Sequence, residues 1–214
     1  MRRTIAALSL VVLAAATAAP ASITGVAGGS AAPGATLGPY SMTPFLCDPQ
    51  PLYHHVTSVA SPLGGVVEFS IPLDHYRVGQ GWATWSNGYT GDVYSTDWHS
   101  SVTMNLPDQT EAFYFYAEPN PWGQYTIVAT AQDGTQITQS VNAYAKAAYY
   151  GFYGTDGSYI TSIAVAAPCH IGFGIGEFGI ALGSYAPSVP APGAILLAAL
   201  GTVVVGHLRR RQML

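Results

Sequence analysis

Apolar and polar side chains alternate along much of the central part of this chain. Val102, Met104 and Leu106 are separated by single polar residues, and this period of two places the apolar groups on one face of a sheet. The same period, or a β-branched run bounded by turn residues, predicts strands at 65–71, 102–106, 113–116, 126–131, 135–138, 159–165 and 178–182.

The predicted strands recur at intervals of roughly 8–12 residues, and no stretch of ten residues among them carries a helical stripe. Charged residues make up only 8% of the chain, while Gly and Tyr number 24 and 14, a composition typical of short strands and many turns. The pattern predicts an all-β fold, an antiparallel β-sandwich with a jelly-roll-like arrangement. A small barrel is the alternative, because periodicity does not fix the order of the strands.

The N-terminal residues have the pattern of a secretory signal peptide. Arg2 and Arg3 form a basic start before an apolar stretch at 5–16. Small residues up to Ala21 then offer cleavage sites. We therefore predict a signal peptide at residues 1–21 and an exported protein, with an uncleaved N-terminal anchor as the alternative.

A segment of small residues separates this leader from the predicted strands. Residues 22–39 are rich in glycine and alanine, which is typical of flexible linkers. The sequence therefore predicts a flexible spacer at 22–39 and an extracellular β-sandwich domain at 40–186.

The C-terminal segment 187–214 has three consecutive parts. These are the motif Val189, Pro190, Ala191 and Pro192, an apolar run at 193–208, and a basic end of Arg209, Arg210 and Arg211. As a helix, the apolar run would be roughly 24 Å long against a hydrocarbon core of about 30 Å, which predicts a short transmembrane helix. The arginines would hold the C-terminus in the cytoplasm.

The leader, the prolines at 189–192, the apolar helix and the terminal arginines together resemble the bacterial PEP-CTERM proteins. In that family the tail is a sorting signal, and the resemblance implies recognition and removal by an exosortase, a membrane-embedded cysteine protease. It also implies a transient stay in the inner membrane before release to the cell surface or extracellular matrix. Here Ala191 replaces the central Glu of the family's motif. A plain tail anchor is the alternative.

The central part of the chain, about residues 62–181, resembles a recurring domain of PEP-CTERM proteins from environmental bacteria. The similarity lies in segments such as 82–99, 112–120 and 160–163. It implies an extracellular β-rich domain of unassigned activity, and it provides no catalytic residues to transfer.

The predicted targeting segments change how the charge of the chain is interpreted. Five of the seven basic residues lie in these segments, so the exported domain carries Arg77 and Lys146 against eleven acids, a net charge of −9. Such a domain has no basic surface for DNA, RNA or anionic lipid. We therefore predict no nucleic-acid partner, while neutral glycans and calcium stay compatible with this charge.

Cys47 and Cys169 are the two cysteines of the chain. In an exported protein an even number permits a disulfide, which here would close a loop of about 120 residues and stabilise the fold by about 4–5 kcal/mol. Two separate buried thiols are the alternative.

The densest side-chain chemistry lies in segment 82–99, which holds three of the four tryptophans among Asn, Asp and Gly. Indole rings stack on the C–H faces of sugars while short polar groups bind the hydroxyls. The hypothetical glycan contacts are Trp85, Tyr89, Asp92 and Trp98. The alternative is that Trp82 and Trp85 fill the core and that 87–88 only makes a turn.

Catalytic and metal-binding patterns are weak. Asp92 and Asp97 could form the carboxylate pair of a glycoside hydrolase, but no serine-hydrolase elbow and no H-E-x-x-H motif is present. Neighbouring residues on a strand point to opposite faces, so His54 and His55 do not easily chelate a metal. We predict a non-enzymatic protein with no cofactor and no metal site, and keep structural calcium at loop aspartates such as Asp133 and Asp156 as an alternative.

Three hypotheses for function follow. The first is an exported, non-enzymatic protein of the cell surface or matrix that is associated with exopolysaccharide. The second is a lectin-like carbohydrate-binding module, and the third is a glycoside hydrolase. An exposed shelf of aromatic rings would favour the second, and two carboxylates facing each other in a cleft would favour the third.

Overall fold

The computed structural model describes residues 22–144, 146–168 and 171–183, and the regular structure within them is β-strand. The strands are β1 Ser22–Gly29, β2 Thr36–Leu37, β3 Tyr40–Ser41, β4 Thr43–Pro44, β5 His55–Ala60, β6 Val66–Val78, β7 Gly81–Trp82, β8 Asp92–Ser95, β9 Ser101–Asn105, β10 Thr110–Pro119, β11 Gln124–Ala131, β12 Gln136–Asn142, β13 Ala148–Thr155, β14 Ser162–Ala166 and β15 Phe173–Leu182. Over these ranges we find no helix with the length and apolarity needed to cross a membrane. The predicted signal peptide, the sorting motif and the segment 193–208 lie outside the described residues.

Thirteen strands join in one sheet, in the order β1-β13-β10-β15-β8-β6-β9-β14-β11-β12 along its main path. Strand β4 pairs with β15, and β5 and β7 pair with β6, while β2 and β3 form a separate hairpin. All pairings are antiparallel except the short β6–β7 pair.

The two edge strands of this path approach each other. The Gln139 side chain on β12 accepts a hydrogen bond from Gly29 N at 3.1 Å, and the Thr135 hydroxyl donates to Ile23 O at 3.1 Å. The sheet is therefore nearly closed and barrel-like. The predicted all-β, antiparallel class is confirmed, and the single continuous sheet is nearer to the small-barrel alternative than to two facing sheets.

Apolar side chains from many strands fill the interior of the sheet. Phe113 and Phe115 of β10 lie in this core together with Val102 and Met104 of β9, as the alternating pattern predicts. Tyr114 and Tyr116, which alternate with those phenylalanines, lie on the opposite face of β10 and are also buried. Strand β10 is therefore covered on both faces.

A second apolar cluster covers the outer face of β10, β13 and β15. We call it the outer aromatic cluster, and its buried members include Leu37, Trp82, Trp85, Tyr114, Tyr116 and Tyr149. It is formed because the β2–β3 hairpin and the segment after β7 lie against the sheet from outside. Trp82 and Trp85 are thus buried, as the alternative to glycan contact predicts, but in this outer cluster and not inside the sheet.

The N-terminal part of the predicted spacer 22–39 is not flexible, and this prediction is wrong for Ser22–Gly29. These residues form β1, which pairs with β13 from Ser22 opposite Thr155 onward. The small residues here permit close packing, because a Cβ atom added at Gly25 would lie 2.9 Å from the Ile137 side chain. Glycine in this segment reflects a crowded sheet edge and not a linker.

Candidate functional site

Asp92, one of the predicted glycan contacts, is a buried residue with internal partners. Asp92 is 5% exposed. Oδ1 accepts hydrogen bonds from Arg77 Nε at 2.9 Å and Nη2 at 2.7 Å, and Oδ2 accepts one from Asp48 N at 2.7 Å. The bond to Asp92 raises the pKa of Arg77. Both carboxylate oxygens are therefore engaged within the protein.

The partners of Asp92 extend into a larger polar group. The Tyr94 hydroxyl donates to Asp48 Oδ2 at 2.9 Å, and the buried His75 ring stacks on Tyr94 with 5.2 Å between ring centroids. His75 Nε2 lies 3.3 Å from Asp92 Oδ1 but without hydrogen-bond geometry. Burial raises the pKa of Tyr94. We call Asp92, Arg77, Asp48, Tyr94 and His75 the Asp92 network, and it ties β6 and β8 to the segment before β5.

Trp85 and Tyr89 are likewise packed into the protein. The buried Trp85 indole donates to Glu177 Oε2 at 2.9 Å, and Asn87 Nδ2 donates to the same oxygen at 3.3 Å. Burial raises the pKa of Glu177 to about 7. The half-buried Tyr89 hydroxyl donates to Asp92 O at 3.1 Å. Neither aromatic ring is a free shelf for a sugar.

Trp98 differs from the other three predicted residues because it is 73% exposed. It lies on the loop between β8 and β9. Trp85, Tyr89, Asp92 and Trp98 therefore do not form one binding site. Three of them are packed internally, and Trp98 alone is available to a ligand.

The predicted carboxylate pair of a hydrolase is also not assembled in a common cleft. Asp97 is exposed and lines a cleft of about 220 Å³ with His55, Asp74, Ser95 and His99 among its neighbours. Asp92 is not among the residues that line this cleft. The structure thus gives the two carboxylates different surroundings, one open to solvent and one bound to Arg77.

A different cleft, of about 130 Å³, lies beside the C-terminal end of β10. It is lined by Gly81, Trp82, Ala83, Thr84, Glu118, Pro119, Asn120, Trp122 and Ala143. We call it the Glu118 cleft. Its lining combines an acid, an amide and a hydroxyl with two indoles, and the sequence analysis did not predict it as a site.

Glu118 is 1% exposed and all its hydrogen-bond donors are neutral. Trp82 Nε1 donates to Oε2 at 2.7 Å, while the Thr84 hydroxyl and Lys146 N donate to Oε1 at 3.0 and 3.2 Å. In the described part of the chain, the carboxylates that lie within 4.0 Å of a basic side chain are Asp92, beside Arg77 and His75, and Asp74, beside His55, so Glu118 has no such neighbour there. Burial raises the pKa of Glu118. A carboxylate has about four acceptor positions, and the donors among the described residues occupy three of them, which leaves one on Oε2 without a donor there.

The rim of the Glu118 cleft carries two exposed aromatic rings. Trp122 is 53% exposed and Tyr144 is 63% exposed, and their rings stack at 5.3 Å with 26° between their planes. The loops that carry them are joined, because Ala143 N donates to Gly123 O at 2.8 Å. The stack holds the Trp122 indole in place while leaving much of its surface in solvent.

Two further predictions, the disulfide and structural calcium, are not tested by the described residues. Cys47 is exposed, and Cys169 lies outside the described residues, so the disulfide stays a prediction. In the ranges that the structure covers, no three His, Cys, Asp or Glu side chains group in a way that could hold a metal ion. Structural calcium stays an alternative.

Comparison with known proteins gives no relative: no protein-family model matches the chain, and no curated protein matches it.

Proposed function

We propose that this protein is an exported, non-enzymatic carbohydrate-binding protein that is sorted to the cell surface or extracellular matrix, where it binds exopolysaccharide through the Glu118 cleft. The observation that carries the proposal is the exposed Trp122 indole, held by Tyr144 beside a buried carboxylate with an open acceptor position. The proposal thus joins the first two hypotheses and places the site away from Asp92.

The chemistry of the cleft suits a sugar ring. The C–H face of the ring would stack on Trp122. Its hydroxyl groups would donate to Glu118 Oε2 and exchange hydrogen bonds with the Asn120 side chain, which also lines the cleft. Because the exported domain carries a net charge of −9, a neutral polysaccharide is favoured over a polyanion.

The sequence patterns of the two termini support export and sorting. The signal peptide at 1–21 would direct the chain across the inner membrane, and the segment 193–208 would hold it there transiently. An exosortase-type enzyme would then recognise the motif 189–192 and release the protein. Cleavage after Ala21 would leave the whole of β1, which starts at Ser22, in the mature protein.

Affinity electrophoresis of the full chain in mild detergent tests the proposal. The gels contain a soluble glucan, mannan, galactan or xylan, with alginate as the anionic polymer, each with and without calcium. We expect at least one neutral polysaccharide to retard the protein. Trp122→Ala should weaken that binding by about 10- to 30-fold, because a central Trp contact is often worth 1.4 kcal/mol or more.

Tyr159→Ala is the matched control. Tyr159 is an exposed aromatic residue, and its neighbour Ile160 bonds to Thr110 O at the other end of β10. This variant should bind like the unmodified chain. Absence of retardation by every polysaccharide, or equal loss in the two variants, would contradict the proposal, and release of new reducing ends would contradict its non-enzymatic part.

A further inference from the structure

Strands β8 and β10 end, and β15 begins, side by side next to the Glu118 cleft. Pro119 at the end of β10 pairs with Phe173 at the start of β15, and Gly174 of β15 pairs with Ser95 at the end of β8. Neighbouring strands lie about 4.8 Å apart, so the ends of β10 and β8 are about 10 Å apart. The loops that follow these two ends carry Trp122 and Trp98.

The Trp98 loop is held in a fixed conformation. Asp97 N donates to Ser95 Oγ at 3.1 Å, and His99 N donates to Thr96 O at 2.9 Å. The Thr96 hydroxyl in turn donates to His99 O at 2.8 Å. A loop with these internal bonds presents its exposed indole at a small cost in conformational entropy on binding.

Gly172 contacts both the Trp98 loop and the Trp122 loop. Asn120 N donates to Gly172 O at 2.9 Å. On the other side, Gly172 lies so close to the Asp97 carbonyl that a Cβ atom added to it would overlap that oxygen. The backbone of Gly172 thus fixes the two loops relative to each other at the same end of the sheet.

From this juxtaposition we infer that Trp98 and Trp122 are two aromatic subsites of one extended surface, which binds several consecutive residues of a neutral polysaccharide chain. The inference rests on the proposed function and deepens it, since it specifies a polymer and not a single sugar. The cleft lined by Asp97 and His99, the two sequence neighbours of Trp98, supplies hydrogen-bonding groups from these residues and from Asp74. Its two carboxylates disfavour a polyanion, as the net charge does.

Two linked subsites have a measurable consequence. A short oligosaccharide occupies one subsite at a time, whereas a longer one that reaches both binds the second subsite at a high effective concentration. Affinity should therefore rise steeply between short and long oligosaccharides. The rise should depend on Trp98, because the Trp122 subsite alone suffices for the short one.

The test uses two-residue and six-residue oligosaccharides prepared from a neutral polysaccharide that retards the protein. Calorimetric titration of the full chain should give at least tenfold weaker binding of the six-residue oligosaccharide to Trp98→Ala, with binding of the two-residue one unchanged. Trp98→Phe keeps an aromatic face and should recover part of the loss. Trp122→Ala should weaken the binding of both lengths, and Tyr159→Ala of neither.

The outcomes separate the inference from the function on which it rests. Normal six-residue binding by Trp98→Ala, together with a defect in Trp122→Ala, overturns the extended surface and leaves the carbohydrate-binding function intact. An equal loss for both lengths in Trp98→Ala also overturns it. Absence of binding by the unmodified chain to every neutral polysaccharide overturns the function and the inference together.

Discussion

Asp92 and Glu118 are both nearly buried carboxylates beside aromatic residues, but their partners differ in kind. Asp92 is bound by the Arg77 guanidinium and by a backbone amide, which together engage both of its oxygens. Glu118 is bound by an indole, a hydroxyl and a backbone amide, all of them neutral. One acid is paired with a cation, and the other has no cationic partner among the described residues.

The difference shows that the partners of an acid decide its role more than its position in the chain does. The Asp92 network closes on itself and joins elements of the sheet, as buried ion pairs with further hydrogen bonds do. Glu118 borders a cleft with an exposed indole at its rim. The comparison therefore assigns stability to Asp92 and ligand binding to the region of Glu118.

Removing the carboxylate of Asp92 should have the largest effect on folding. Asp92→Ala leaves the guanidinium of Arg77 and the amide of Asp48 without their acceptor. Breaking a buried pair in this way costs about 3–5 kcal/mol, and because the Arg77 side chain is 30% exposed, we expect a loss at the low end of that range. Urea unfolding of the full chain measures the loss. The remaining folded protein should still bind polysaccharide, because Asp92 does not line the Glu118 cleft.

A double variant distinguishes the ion pair from a general packing defect. Asp92→Leu with Arg77→Met replaces both charges by apolar groups, which is often nearly neutral where the single removal is costly. We expect it to recover the part of the free energy of unfolding that Asp92→Ala loses through the unpaired guanidinium, while the Asp48 amide lacks its acceptor in both variants. A loss below about 1 kcal/mol in Asp92→Ala would show that the Asp92 network does not stabilise the fold.

The next effect compares two glutamates, Glu118 and Glu177, that both accept an indole hydrogen bond. In Glu118, donors reach both oxygens, so in Glu118→Gln the amide NH₂ must face an N–H group that cannot accept, either that of Trp82 or the backbone amide of Lys146. We expect a loss of about 2 kcal/mol, as for a buried donor left without an acceptor. The measurement is again urea unfolding.

Glu177→Gln is the matched substitution. Both donors to Glu177, Trp85 and Asn87, reach the same oxygen, Oε2, which the carbonyl of a glutamine can replace. This variant should unfold within about 0.5 kcal/mol of the unmodified chain at pH 5. Equal losses in the two variants would contradict this account of their hydrogen bonds.

Local pattern was sufficient for the fold class and for the direction of many side chains. The alternation around Phe113 and Phe115 predicts which residues of β10 point inward, and they do. The same reasoning fails for β1 because its small residues, Gly25 and Gly28 among them, have no apolar alternation. Their contacts come from Ile137 and Tyr149, more than a hundred residues later in the chain, and no local pattern contains them.

The candidate site was less predictable for the same reason. The dense segment 82–99 drew attention to Trp85 and Asp92, but distant residues decide what these side chains contact: Glu177 binds Trp85 and Arg77 binds Asp92. A usable signal existed for Glu118, since an acid within the apolar strand 110–119 needs a partner. That partner is Trp82 of β7. No local pattern of the sequence links it to Glu118, because the two residues come together only in the folded protein.

The smallest expected effect is a pH dependence of stability that comes from Glu177. Burial raises the pKa of Glu177 in the folded protein to about 7 from its ordinary value of 4.5. Between these values the folded state holds a proton that the unfolded state has lost, so the free energy of unfolding falls as pH rises from about 4.5 to about 7. Since Glu177 is only partly buried, the fall should be about 1–2 kcal/mol.

The control for this pH dependence is the same chain with Glu177→Gln, which cannot titrate at this position. Burial raises the pKa of Glu118 as well, so the contribution of Glu177 is the difference between the two proteins, measured by urea unfolding at pH 4.5, 6 and 8. The variant should be the more stable of the two at pH 8 and should lose that advantage at pH 4.5. Parallel curves would mean that Glu177 ionises at its ordinary pKa in the folded protein, which would contradict this prediction.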